Sequence, residues 1–174
     1  MSQLQTRIHR KMGVGHRPQG GGRCSRLVQI ALEFLANEAI VSGKKMIRPE
    51  VGRHRILVVD DEPTVRDAIK MLLSFEGHDV ETAGSGPDAL ALIQKEQFDL
   101  ILTDYAMPAM TGEELATAIK AARPKQPVGM ITAYAPMLQA SGEPLKGVDF
   151  VISKPFALPE LRAALARALP GETN

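Results

Sequence analysis

Residues 98–108, FDLILTDYAMP, decide how the rest of this chain reads. Leu100, Ile101 and Leu102 make an apolar run too short for a helix and bounded by polar residues. Such a run predicts a buried strand of a parallel sheet, whose side chains are covered on both faces. Asp104 stands where the run meets the loop, just before the turn-forming Met107-Pro108. A carboxylate there lies at a strand's carboxyl end, the side on which open α/β sheets bind ligands.

Outward from that strand the pattern repeats. Toward the N-terminus, Ile56-Leu57-Val58-Val59 predicts a strand ending at Asp60-Asp61. Pro63 suits a first helical position, and Val65, Ala68, Ile69, Leu72 and Leu73 mark one face of a helix that Gly77 closes. A short strand follows over 79–83, then a helix begun by Pro87 with Leu90 and Ile93 inward. Toward the C-terminus a helix is expected over 112–122, with Leu115 and Ile119 on its apolar side. Strands are expected over 127–132 and 148–152, the second running into Lys154-Pro155. Pro136, Gly142, Pro144 and Gly147 leave room only for a short helix between them, roughly 137–141. A last helix spans about 158–169, with Leu158, Leu161, Leu165 and Leu169 in register. Alternating β and α units argue for an α/β fold, a doubly wound parallel sheet with helices on both faces.

The preceding residues are a different polymer. Residues 1–55 hold 11 Lys/Arg against 3 Asp/Glu, whereas 56–174 hold 10 against 17, so a net charge of +1 hides an asymmetry of +8 against −7. Residues 1–53 read as a basic N-terminal extension. Residues 1–24, with Gly20-Gly21-Gly22, show no usable periodicity and are expected to be disordered. A helix is expected near 25–41, with Ser25 as N-cap, Leu27, Ile30, Ala31, Phe34 and Leu35 on one face, and Gly43 after it. Residues 54–170 are the expected folded domain. With no Trp and 4% aromatic residues, its core must be aliphatic. Cys24 is the sole cysteine, which excludes an intrachain disulfide and fits a reducing, cytoplasmic setting. No run approaches the roughly 18 apolar residues of a membrane span.

Polar residues then collect at strand ends: Asp60-Asp61 after the first, Asp104 after the third, Thr132 after the fourth and Lys154 after the fifth. If the strands are ordered 2-1-3-4-5, the first and third are neighbours and the chain reverses between them, opening a crevice where the three carboxylates meet. Two carboxylates about 4 Å apart repel by roughly 4 kcal/mol at an effective dielectric near 20. Three of them need a cation or a proton, and hard oxygen ligands with room for water favour Mg²⁺. Asp104 could then act as an in-line nucleophile toward a phosphoryl donor, with Thr132 donating a hydroxyl hydrogen bond and Lys154 pairing with Asp104 or with phosphoryl oxygens. Each residue has a plainer role as well. Asp60-Asp61 could cap a helix, Asp104 start a turn, Thr132 fill a strand and Lys154 sit solvated in a loop; it is their joint placement that chance explains poorly.

VVDDEP (58–63), TDYAMPAMTG (103–112), ITA (131–133) and SKPF (153–156) resemble the receiver domain of two-component response regulators, in order and over about residues 54–170. The resemblance implies the five-stranded, flavodoxin-like sheet of order 2-1-3-4-5. It also implies that Asp104 is the phospho-acceptor, that Asp61, Asp104 and the backbone carbonyl of Ala106 are Mg²⁺ ligands, and that Asp60 acts through a metal-bound water. Thr132 becomes a switch hydroxyl and Lys154 a phosphate-binding lysine, with a cis bond to Pro155. Two departures stand out: Val151 occupies the usual position of a switch aromatic, with Phe150 one place earlier, and the fourth helix is short.

The chain thus reads as a signalling protein with one receiver and no conventional output domain. It is expected to be a phospho-acceptor and not an ordinary enzyme, taking its phosphoryl group from a histidine kinase or phosphotransfer protein and acting on an unnamed downstream protein. A homodimer stays open, and no membrane partner is expected. Two rivals remain: a phosphorylation-independent docking scaffold, and nucleic-acid binding through the basic extension, which lacks interleaved aromatics for base stacking.

Overall fold

A computed structural model describes residues 52–169. The expectations for residues 1–51, including the helix near 25–41, lie outside the described residues. Five strands alternate with five helices: β1 (Arg55–Val59), α1 (Pro63–Phe75), β2 (Asp79–Ala83), α2 (Gly86–Lys95), β3 (Leu100–Thr103), α3 (Gly112–Ala122), β4 (Val128–Thr132), α4 (Ala135–Ser141), β5 (Phe150–Ser153) and α5 (Leu158–Ala168). All pairings are parallel and the order is β2-β1-β3-β4-β5, as the sequence predicts.

The unbroken apolar strands are explained by two cores. Ile56 and Val58 of β1, with Leu100 and Leu102 of β3, pack on one face against α1 and α5. Leu57, Val59 and Ile101, one residue out of phase, pack on the other against α2 and α3. Because neighbouring strand residues point to opposite faces, a strand buried on both sides must be apolar at every position. Truncating one of these side chains to Ala would cost about 2–5 kcal/mol.

Local chemistry sets the boundaries. α2 starts at Ser85, whose hydroxyl accepts the Asp88 N–H at 3.2 Å. α3 carries a reciprocal cap, with Glu114 N–H on Thr111 Oγ1 at 3.2 Å and Thr111 N–H on Glu114 Oε2 at 2.9 Å. In α2, Ala89 is the fully covered residue and Leu90 only partly packs, one position from the expected inward face. β5 begins two residues later than expected. Gly147 turns through φ 74° so near the α3 backbone that a β-carbon would lie 2.8 Å from the Ala116 carbonyl, and the Asp149 carboxylate accepts the Val128 N–H, so this stretch turns before it pairs. α4 is one short helix ended by Gly142 in the left-handed region at φ 68°. Among the described residues no helix is long and apolar enough to cross a membrane.

His78 ties β1 to the turn before β2: its Nδ1 accepts the His54 N–H at 3.4 Å, and His54 O accepts the Asp79 N–H at 2.9 Å. Burial holds the His78 imidazole below its usual pKa; the facing His54 ring adds to this and Glu76 opposes it. The native state therefore prefers neutral His78, while the unfolded chain takes up the proton near pH 6.5. Stability should fall as pH drops below about 6.5. In urea titrations from pH 7 to 5.5 the decline should be shallower for His78→Gln than for the parent chain.

Candidate functional site

The reversal of strand order between β1 and β3 positions the site. Val59 is in register with Thr103, so the next residues, Asp60 and Asp104, leave the sheet side by side. The ladder runs one step further, with Asp104 N–H donating to Val59 O at 2.8 Å. At the other side Thr132 pairs with Ser153, and Lys154 N–H donates to Thr132 O at 2.9 Å. The Lys154 side chain reaches back past the end of β4 to the residues that follow β3 and β1. Its Nζ lies 2.7 Å from Asp60 Oδ2 and 3.0 Å from Asp104 Oδ1, so one ammonium holds two carboxylates.

All three groups are largely withdrawn from water, with side-chain exposures of 4% for Asp60, 12% for Asp104 and 13% for Lys154. Burial pushes the Asp60 carboxyl above the usual carboxylate range; Lys154 pulls it down and the Asp104 charge pushes it up again. Burial alone would weaken the lysine as a base, but Asp104 and Asp60 outweigh it and hold the Lys154 proton more tightly than in a free side chain. The other carboxylate oxygens are used too. Asp60 Oδ1 accepts the Glu62 N–H at 2.8 Å, and Asp104 Oδ2 accepts the Ala106 N–H at 3.0 Å. Asp60 thus serves the turn before α1 as well as the cluster, while α1 itself has Glu62 at its N-cap with no side-chain cap.

The remaining expected residues fall at the same end of the sheet. Asp61 follows Asp60 and is partly exposed. Thr132 is fully buried, and its Oγ1 accepts the Tyr134 N–H at 3.2 Å. The Tyr134 ring meets Tyr105, the residue after Asp104, at 6.2 Å between centroids and 58° between planes. Burial, then the charges of Glu113 and Glu114, push the Tyr105 phenol up to about 12. The Lys154-Pro155 bond is cis, as expected. Ala106 is exposed in the loop after Asp104.

Two contributors were not anticipated. A β-carbon on Gly112 would lie 2.1 Å from Asp104 O, so only glycine lets the first turn of α3 close on the Asp104 backbone. Its N–H donates to Tyr105 O at 2.9 Å. Arg66 donates from Nη1 to Asp60 O at 2.6 Å. The sequence signal for Arg66 was a charge on α1 one turn beyond Asp60-Asp61 and beside the inward Val65.

Among the described residues no three Asp, Glu, His or Cys side chains converge closely enough to cage a metal by themselves. Mg²⁺ asks for less, since it usually keeps several waters and takes one or two carboxylates. The donors here are hard oxygens, and with Asp61 the three carboxylates exceed the one ammonium by two negative charges, which a divalent cation balances. The residues fit that ion.

A family model described as the response regulator receiver domain matches residues 56–166. Among curated proteins, the response regulator MprA of Mycobacterium sp. (strain KMS) is 37% identical over 122 residues, covering 68% of this chain and 53% of MprA. PilR of Pseudomonas aeruginosa is 35% identical over 119 residues, covering 68% of this chain and 27% of PilR. The chain thus spans about half or less of the curated relatives it matches. Among solved structures, the chemotaxis response regulator CheY4 of Vibrio cholerae superimposes with a TM-score of 0.60 at 34% identity, over 68% of this chain and all of that one. The response regulator TrrA of Thermotoga maritima, solved in complex with Mg²⁺ and BeF, gives 0.58 at 32% identity over 66% of this chain and 98% of its own.

The glycine contact yields a test of how the loop after Asp104 is held. Gly112→Ala should destabilise the fold by about 1–3 kcal/mol through overpacking against Asp104 O. Gly84→Ala, where a β-carbon would make an ordinary contact at 3.5 Å, should cost much less. Urea denaturation of both variants compares them.

Proposed function

Because the chain belongs to the response regulator receiver family, we propose that it receives a phosphoryl group on Asp104 from a phosphohistidine of a kinase or phosphotransfer protein, with Mg²⁺ required. The supporting observation is the Lys154 ammonium bridging Asp60 and Asp104 at the crevice between β1 and β3. In the transfer an Asp104 carboxylate oxygen attacks phosphorus in line. The P–O bond forms as the P–N bond breaks, and the electron pair leaves on the imidazole nitrogen. A donor ring protonated on its other nitrogen leaves as a neutral base.

This chain's residues contribute position and charge. The Ala106 N–H on Asp104 Oδ2 and the Lys154 ammonium on Oδ1 fix the rotation of the carboxylate. Lys154 is placed to follow the charge from the carboxylate to the transferred group without a large movement. Asp60, Asp61, Asp104 and the Ala106 carbonyl are the oxygens assigned to the metal, which when bound supplies charge neutralisation to the phosphoryl oxygens. Thr132 supplies a hydroxyl at the end of the neighbouring strand, and Tyr134 overhangs it, where its ring limits water's approach to the acyl phosphate.

Phosphorylation adds about −1.5 to −2 of charge at pH 7. That change shifts a two-state equilibrium at a surface read by a downstream protein.

Asp104→Asn should abolish Mg²⁺-dependent labelling by a small-molecule phosphodonor, followed by phosphate-affinity electrophoresis, while Asp99→Asn on the opposite end of β3 should label normally. Persistent labelling of Asp104→Asn refutes the acceptor assignment. Tyr134→Ala should speed dephosphorylation, and an unchanged rate would remove the shielding role of that ring.

A further inference from the structure

Asp60 is restrained at every polar atom of its main chain and side chain. Its N–H donates to Ala83 O at 3.2 Å, its Oδ1 accepts from Glu62 N–H and its Oδ2 from Lys154. The one remaining group, the carbonyl oxygen, accepts from Arg66 Nη1 at 2.6 Å. That carbonyl belongs to the peptide unit shared with Asp61. A peptide unit is planar and trans, so a guanidinium that fixes the Asp60 carbonyl also fixes the direction of the Asp61 N–H and restricts the bond leading to the Asp61 α-carbon.

Arg66 is itself held in place. Its own N–H donates to Glu62 O at 3.0 Å in the first turn of α1. The guanidinium lies against the turn after β2, where a β-carbon on Gly84 would stand 3.5 Å from Nη1. Arg66 therefore spans from α1 to the turns after β1 and β2. A fixed positive charge on the Asp60 carbonyl is also an electrostatic liability, because it opposes a divalent cation held by the side chains that follow.

We infer that Arg66 is a positioning residue: by holding the Asp60 carbonyl it presets the Asp60–Asp61 peptide for the cation. The net effect of this anchoring on Mg²⁺ affinity is favourable despite the repulsion of like charges. The inference rests on the Mg²⁺ site of the proposed function and gives it a support that the sequence motif does not contain.

The two effects of Arg66 have opposite signs, which makes the test decisive. Mg²⁺ dissociation constants are measured on the full chain by isothermal titration calorimetry, with circular dichroism in EDTA checking that each variant is folded. Anchoring predicts that Arg66→Gln weakens Mg²⁺ binding by about 10-fold, the lower end of the loss usual when an outer partner of a metal site is removed. Arg66→Lys, which keeps the charge but loses the forked guanidinium, should fall between the parent and Arg66→Gln. Lys70→Gln removes the same charge from an exposed position one turn along α1 and should leave binding unchanged or slightly tighter. A charge-only role predicts tighter binding by Arg66→Gln and parental binding by Arg66→Lys; that result, or equal affinity in all four proteins, overturns the inference. If Arg66→Gln does not fold, Arg66→Lys still separates the two roles. Failure of the parent chain to bind Mg²⁺ would instead overturn the proposed function on which this stands.

Discussion

The Lys154 ammonium is the interaction on which the site depends. It joins residues 94 and 50 positions away along the chain, and it does so between two carboxylates that would otherwise repel at short range. Withdrawing charges from water is costly, and their mutual attraction offsets that cost only where geometry is good and the remaining lone pairs are satisfied. Both conditions are met here. Each carboxylate uses one oxygen for the ammonium and the other for a backbone N–H two residues further on, Glu62 for Asp60 and Ala106 for Asp104. Both carboxylates are thus closed by the same kind of tight turn, and the turns come from the parallel register that sets Val59 against Thr103. The sheet aligns the acids, the turns aim them, and the lysine compensates their charge.

Much of this was legible in the sequence because the constraint behind it is periodic. Strands covered on both faces must be continuously apolar, so VV before Asp60 and LILT before Asp104 mark both the strand and its end. Helices lying on such a sheet must be apolar along one stripe, which fixed α1, α3 and α5 nearly to the residue. The misses have local causes. β5 was expected to start at Val148, but Gly147 and Asp149 use that stretch to tie the chain to α3 and β4, and neither tie has a period. Leu90 looks like a core residue by hydrophobicity, yet close packing of α2 puts Ala89 innermost.

The site divides the same way. Side chains that carry charge, namely Asp60, Asp104 and Lys154, could be read as types in a pattern, and the structure brings these three together. What could not be read were backbone relations. Gly112 matters because of the Asp104 carbonyl pressed against it, and Arg66 because of a carbonyl within its reach. A carbonyl oxygen has the same identity at every position, so no residue type announces which one will need a partner. Only the folded turn shows it.

The departure at Val151 can be weighed on the same terms. Val151 stands opposite Met130 in the sheet and packs into a small cluster with Tyr105, Tyr134 and Leu138 of α4. Phe150, one residue earlier, points to the opposite face, where its ring covers Gly129: a β-carbon there would lie 2.3 Å from the ring. It therefore does not supply an aromatic group to the α4 side. That volume is filled by Tyr105 and Tyr134 instead, one attached to the residue after Asp104 and the other held through its N–H by the Thr132 hydroxyl. Tyr105 is buried against Met130 and Leu138, and the partly exposed Tyr134 packs on the edge of this cluster. On this side of the sheet, the contacts between the end of β3 and α4 are therefore made by two tyrosines on loops, with Val151 of β5 packed beside them.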